Sequence, residues 1–179
     1  PLAAPSANAS GTISPTRAGH VLASLGGRIP LILDGGATER GLESTIVAVD
    51  GAGARLLRPG PIGSAEIAAL LPLLDPSVPA RIEAPGQLRS HYAPSKPLRL
   101  DAASANAGEW LIGFGPVSGD DSLSPSGDLE EAAARLFAAL HRADREACRR
   151  IAVAPIPAEG IGLAVNDRLS RAAAPREKD

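Results

Sequence analysis

Methionine is missing from all 179 residues, and aromatic rings are scarce: one Trp, one Tyr and two Phe. So few rings argue against a base-stacking platform for single-stranded nucleic acid. A net charge of -2 supplies no overall basic field for a polyanion. The lone cysteine, Cys148, cannot form an internal disulfide, which fits a reducing, cytoplasmic setting. No apolar run approaches the roughly 20 residues that span a bilayer, and no charged-then-apolar leader opens the chain. No membrane partner is therefore expected. The missing Met, and residues Pro1 to Asn8 that read as the middle of something longer, lead to the expectation of an upstream segment.

What is present is small and aliphatic. Apolar residues make up 44% of the chain, mostly Ala, Leu, Ile and Val, a set that suits sheets covered by helices. The length allows one large domain or two small ones. Ser14 as N-cap and Pro15 at the first helical position predict a helix over 16–25, stopped by Gly26-Gly27. A short strand is expected over 29–33, then a strand over 44–49 and an antiparallel return over 54–57 across Asp50-Gly51. Ser64 is the expected cap of a helix over 65–74. Residues 75–97 carry five prolines and show neither period, so they read as an extended linker. Beyond it, strands are expected over 98–100, 110–114, 121–123 and 151–154. Helices are expected over 128–143, where Leu129, Ala132, Ala133, Leu136, Phe137 and Leu140 recur at three and four, and over 159–174. This alternation predicts a small three-layer α/β unit with a partly parallel sheet.

Four constellations could carry chemistry. In Pro5-Ser6-Ala7-Asn8, a hydroxyl and an amide two residues apart share one side of an extended loop. They can hold a phosphate or carboxylate with neutral donors, or form an ordinary Asx turn. Asp34-Gly35-Gly36 and Gly41-Leu42-Glu43-Ser44-Thr45 place glycines at a strand end and hydroxyls at the next strand's start. They suit close approach of a ligand, or plain turn chemistry. Arg58, before the rigid Pro59-Gly60, can clamp a phosphate or lie in solvent. His91-Tyr92 stands in a segment with no core of its own, so the pair either docks on a neighbour or is incidental. Weaker signals are Gly160-Ile161-Gly162, which lacks the third glycine of a dinucleotide fingerprint because Val165 stands there, and Cys148, read as packing. His20 and His141 have no ligand spacing, so no metal site is expected from the three histidines.

Taken with Leu33-Asp34, Ile46-Val47, Leu57-Arg58-Pro59-Gly60 and Ser90-His91-Tyr92-Ala93-Pro94, these motifs resemble the threonylcarbamoyl-AMP synthase family, in its long form with a YrdC-like catalytic domain. Gly160 to Ala164 and Asp167 to Ala173 resemble the close of that family's small C-terminal domain. The resemblance implies an α/β fold in three parts. Residues 1–79 would be the later half of the catalytic domain, 80–97 a linker, and 98–179 a small Rossmann-like domain. It implies a nucleotidyltransferase acting in tRNA processing: threonine, bicarbonate and ATP give threonylcarbamoyl-AMP and pyrophosphate, with Mg2+ accompanying the nucleotide. Ser6 and Asn8 would bind nucleotide phosphates or the carbamate, Ser44 threonine, and Arg58 the adenylate phosphate. Tyr92 would close over the site. A protein partner would pass the intermediate to tRNA. The family's site also uses a Lys and an Arg from an earlier segment, so these 179 residues alone are expected not to turn over. A non-catalytic nucleotide- or tRNA-binding module is the rival reading.

Overall fold

In the computed structural model, which describes residues 4–74 and 83–175, the sequence's clearest turn forms a hairpin. Strand β1 (Ile46–Asp50) pairs antiparallel with β2 (Gly53–Arg58), and Asp50 Oδ1 accepts from the Ala52 N–H in the turn. The β-branched run favours the strand, and the Asx turn reverses it. The helix expected over 65–74 is only α2 (Ser64–Ala68). Ser64 does not cap it: the Glu66 carboxylate accepts from the Gly63 N–H instead. Pro72 cannot continue a helix. Its carbonyl accepts from Ala54 N, and Leu74 N donates back to Ala54 O, so the chain runs beside β2.

Two further expectations fail before the hairpin. The first helix is α1 (Ala18–Leu25), with Arg17 at its N-cap and no side-chain cap bond. Ser14 is unavailable as a cap because its hydroxyl donates to Glu43, and His20 Nδ1 takes the Thr16 N–H. Residues 29–33 belong to no strand among the described residues, and Leu33 is 85% exposed. Apolar, β-prone sequence makes a ladder only where a second strand meets it.

The second half matches its alternation closely. Strands β3 (Leu98–Arg99), β4 (Glu109–Gly113), β5 (Asp121–Ser122) and β6 (Arg150–Val153) form one sheet in the order β3-β6-β4-β5, every pair parallel. Helix α3 (Leu129–Arg145) opens with Asp128, whose side chain accepts from Glu131 N. Helix α4 (Gly162–Ala173) follows β6. Leu136, Phe137 and Leu140 of α3 meet Val165 and Leu169 of α4 over Ile112, Ile151 and Val153 of the sheet. Each such side chain contributes about 1.5–3 kcal/mol by leaving water. On the opposite face, Leu111 and Ala152 meet loop residues Ala102 and Val117. In place of the expected second helical layer, loop residues cover that face among the described residues. The fold is mixed α/β with a parallel sheet.

The segment read as a linker is docked where it is described; residues 75–82, and with them the expected boundary at 79–80, lie outside the described residues. Lys96 Nζ donates to the carbonyls of Ala143, Asp144 and Glu146, satisfying the end of α3. The Asp144 carboxylate accepts from Ser95 and Lys96 N–H groups in return. Ala93 N donates to Gly11 O, and His91 N to Arg171 O, so the segment ties the early loops to α4.

Candidate functional site

A cleft of about 380 Å³ opens where the early loops rest on α3. Its walls come from four short stretches: Ser6-Ala7, Ser14 to Ala18, Leu33 to Gly36 with Thr38, and Gly41 to Glu43. Phe137 of α3 closes the back. Gly41 explains how the last stretch seats there. Its φ is +69°, and a Cβ would strike the Ala133–Ala134 backbone, so only glycine fits both demands. The cleft presents the hydroxyls of Ser6, Ser14, Thr16 and Thr38, the carboxylates of Asp34 and Glu43, and Arg17. Asp34 Oδ1 accepts from Gly36 N, fixing the glycine turn.

The sequence-derived candidates separate. Ser6 lines the cleft. Asn8 points its amide nitrogen into its own turn, donating to Ala9 O, Thr12 O and Thr12 Oγ1, and its Oδ1 is buried without a partner. Ser44 and Arg58 form one unit behind the cleft. Arg58 Nε and Nη2 donate to Ser44 O at 3.0 and 2.8 Å, Nη2 reaches Ser44 Oγ at 3.3 Å, and Nη1 reaches Pro85 O at 3.4 Å. Arg58 is 8% exposed, so it is no solvated surface residue. Tyr92 is 1% exposed, with its ring centroid 5.5 Å from Phe137 and edge-on to His91. The pair therefore docks. Burial pushes the Tyr92 phenol above its ordinary range, with the Glu43 carboxylate adding to the effect, and the hydroxyl has no hydrogen-bond partner among the described residues.

Sequence reasoning named no role for Glu43 or Arg168, although both lie inside the quoted motifs. Arg168, on α4, is fully buried. Its Nε donates to Glu43 Oε2 at 2.9 Å, and its Nη1 to Pro59 O and Asp167 Oδ2 at 2.9 and 2.8 Å. Glu43's other oxygen accepts from the Ser14 hydroxyl. Motif spacing could not reveal a contact 125 residues apart in the chain.

His20 and His141 stack with centroids 3.8 Å apart, joining α1 to α3. Burial, helped by His141 and then Arg145, Arg17 and Arg142, lowers His20 from 6.5 to about 4. His141 and His91 are also lowered, mainly by burial. Folded His20 thus binds its proton less readily than the unfolded chain, so unfolding takes up protons between these values. Its stabilisation is complete above pH 6.5 and is lost as pH falls towards 4. The melting temperature should drop over that window, ahead of any loss from Glu109, whose carboxyl Arg99 holds at about 2. A His20→Asn variant should show a shallower slope in thermal melts across the same range.

Residues 62–174 match the family described as threonylcarbamoyl-AMP synthase, C-terminal domain, and residues 1–60 the family described as telomere recombination. The chain belongs to the threonylcarbamoyl-AMP synthase family. It is 36% identical to the Bacillus subtilis threonylcarbamoyl-AMP synthase over 98% of its own length, and 35% identical to that of Pyrococcus abyssi over 96%. It spans only 58% and 57% of those relatives. The crystal structure of P. abyssi Sua5 complexed with L-threonine superimposes with a TM-score of 0.79 at 32% identity, over 94% of this chain and 56% of that one. A variant of P. abyssi Sua5 with a histidine and a tyrosine replaced by alanine gives 0.76 at 29% identity, with the same coverage. Among this family member's described residues, no helix is long and apolar enough to cross a membrane.

Proposed function

We propose that this chain forms part of an L-threonylcarbamoyladenylate synthase serving tRNA threonylcarbamoyladenosine modification. The observation that carries the reading is the threonine-bound relative, whose fold aligns with 94% of this chain. The amine of threonine adds to bicarbonate-derived CO2, losing a proton to give a carbamate. A carbamate oxygen then attacks the α-phosphorus of ATP, the bond to the bridging oxygen breaks, and pyrophosphate leaves. No enzyme nucleophile is needed, so the protein contributes positioning and charge stabilisation. Ser6 and Asn8 serve the phosphates or the carbamate, Asn8 through its amide N–H groups once these exchange their partners in the turn. Ser44 holds threonine. Arg58 fixes the Ser44 backbone and supplies the adenylate phosphate with charge. Tyr92 backs this unit and helps keep water from the labile mixed anhydride. Magnesium would be held by the triphosphate, since among the described residues no cluster of three or more His, Cys, Asp or Glu is placed to hold a metal.

In this reading residues 1–79 are the later half of a YrdC-like catalytic domain, and 98–179 a small Rossmann-like domain that meets the protein passing the intermediate to tRNA, in the cytoplasm. The test is pyrophosphate release from ATP by the complete gene product. Release that requires both threonine and bicarbonate is expected. Nucleotide binding without release would make the chain a binding module instead.

A further inference from the structure

Arg168 is an expensive residue for the place it occupies. It has no exposed surface, and its Nη2 has no hydrogen-bond partner among the described residues. Burying a guanidinium costs desolvation that an ion pair only partly returns, and a Met or Leu of similar size would fill the space without that cost. Packing of α4 therefore does not by itself call for an arginine. The geometry shows what the arginine does that a Leu could not. It reaches from α4 to Glu43 on the cleft wall and to the Pro59 carbonyl just after Arg58. Its guanidinium also lies 5.3 Å from the centre of the Tyr92 ring. Asp167 shares the charge and is itself anchored by Arg171, which bonds Leu88 O of the docked segment.

Glu43 is the pivot. One oxygen is taken by Arg168, the other by the Ser14 hydroxyl, and both Glu43 and Ser14 line the cleft. Glu43 also immediately precedes Ser44, the residue assigned to threonine. We propose that Arg168 is a positioning residue for the cleft: from the C-terminal helix it sets the orientation of Glu43, and through Glu43 that of the Ser14 hydroxyl and the Ser44 backbone. The kinetic part of this proposal rests on the function given above; the geometric part does not. It gives the C-terminal helix a positioning role for the early loops, exerted through Glu43.

Two conservative variants test it in the complete gene product. Glu43→Gln keeps an acceptor for Ser14 but loses the charge on Arg168. Arg168→Lys keeps a charge but cannot serve Glu43, Asp167 and Pro59 together. Each should lower kcat/KM for threonine on the order of 10-fold, with KM for ATP changed by less than about 2-fold. The double variant should be no worse than the worse single one, because both act through one contact. Losses that add, or that fall equally on ATP and threonine in step with the melting temperature, would reduce Arg168 to a structural role. A crystal structure of Arg168→Lys decides the geometry without any assay. Glu43 should leave Ser14; a Glu43 carboxylate still bonded to Ser14 overturns the proposal. Absence of threonine-dependent turnover in the wild type would refute the assigned function while leaving that crystallographic test standing. Should Arg168→Lys not fold, the crystal structure of Glu43→Gln decides: a cleft wall unmoved at residues 41–44 overturns the proposal.

Discussion

Tyr92→Ala should lower the melting temperature by about 10 °C, corresponding to on the order of 3 kcal/mol or more. The sequence alone left open whether this aromatic, in a segment without a core of its own, docks on a neighbour or is incidental. The structure places the ring at 1% exposure between Phe137, His91 and Arg168. Truncation leaves a cavity the size of an aromatic ring in a close-packed region, and a cavity of that kind is costly. The backbone strain is unchanged by the substitution, since alanine also carries a Cβ. Tyr92 has φ of +60°, a conformation that costs about 1–2 kcal/mol for a residue with a Cβ. Packing of the ring exceeds that strain, which is why the conformation persists. Tyr92→Phe separates the ring from its hydroxyl. The hydroxyl has no partner, so its loss should leave the melting temperature unchanged or slightly raised. Calorimetry on both variants checks this; equal melting temperatures for Tyr92→Ala and wild type would contradict the burial. If the ring also excludes water from the site, Tyr92→Phe should keep the ratio of ATP consumed to threonylcarbamoyl product, and Tyr92→Ala should raise it below its lowered melting point.

In the complete gene product, and under the proposed synthase function, Arg58→Lys should cost at least about 10-fold in kcat/KM for pyrophosphate release, about 1.4 kcal/mol of transition-state stabilisation. Two of the three guanidinium nitrogens of Arg58 converge on Ser44 O, and the third reaches Pro85 O. A lysine ammonium offers one point of charge and cannot span the two carbonyls in that fork. Ser44 is then held by a single mobile donor, and the hydroxyl assigned to threonine loses its fixed place. A moderate fall in melting temperature is expected alongside, since the Pro85 contact is lost. Steady-state kinetics with threonine as the varied substrate provides the check. A variant with normal kinetics and a lowered melting temperature would leave Arg58 a purely structural tie between β2 and the docked segment.

Much of the candidate site could be read in the sequence as motifs, but not as an arrangement. Ser6, the Asp34 turn and the 41–45 stretch were each visible as glycine-bounded polar loops, because turn chemistry is local. Their convergence on one cleft was not, since nothing in a loop states which other loop it faces. Asn8 shows the limit: its spacing from Ser6 suggested a shared side, and the bonds to Ala9 and Thr12 show that the local turn claims its amide nitrogen.

The sequence by itself determined the parts whose causes lie within a few residues. The hairpin of β1 and β2 follows from the β-branched run that leads into Asp50-Gly51, and α3 from a 3.6-residue apolar period behind the Asp128 cap. Tertiary structure decided everything that needs a distant partner. Among the described residues, it left 29–33 in no strand although the segment reads as one, since pairing requires a neighbour that propensity cannot supply. It cut α2 short because backbone bonds to Ala54 replaced the later helical turns. It moved Ser14 from helix cap to Glu43, and it put Arg58, Tyr92 and Arg168 out of solvent. Whether an arginine lies in water or in the core depends on which chain surfaces meet there, and for Arg168 and Glu43 those surfaces come from opposite ends of the chain.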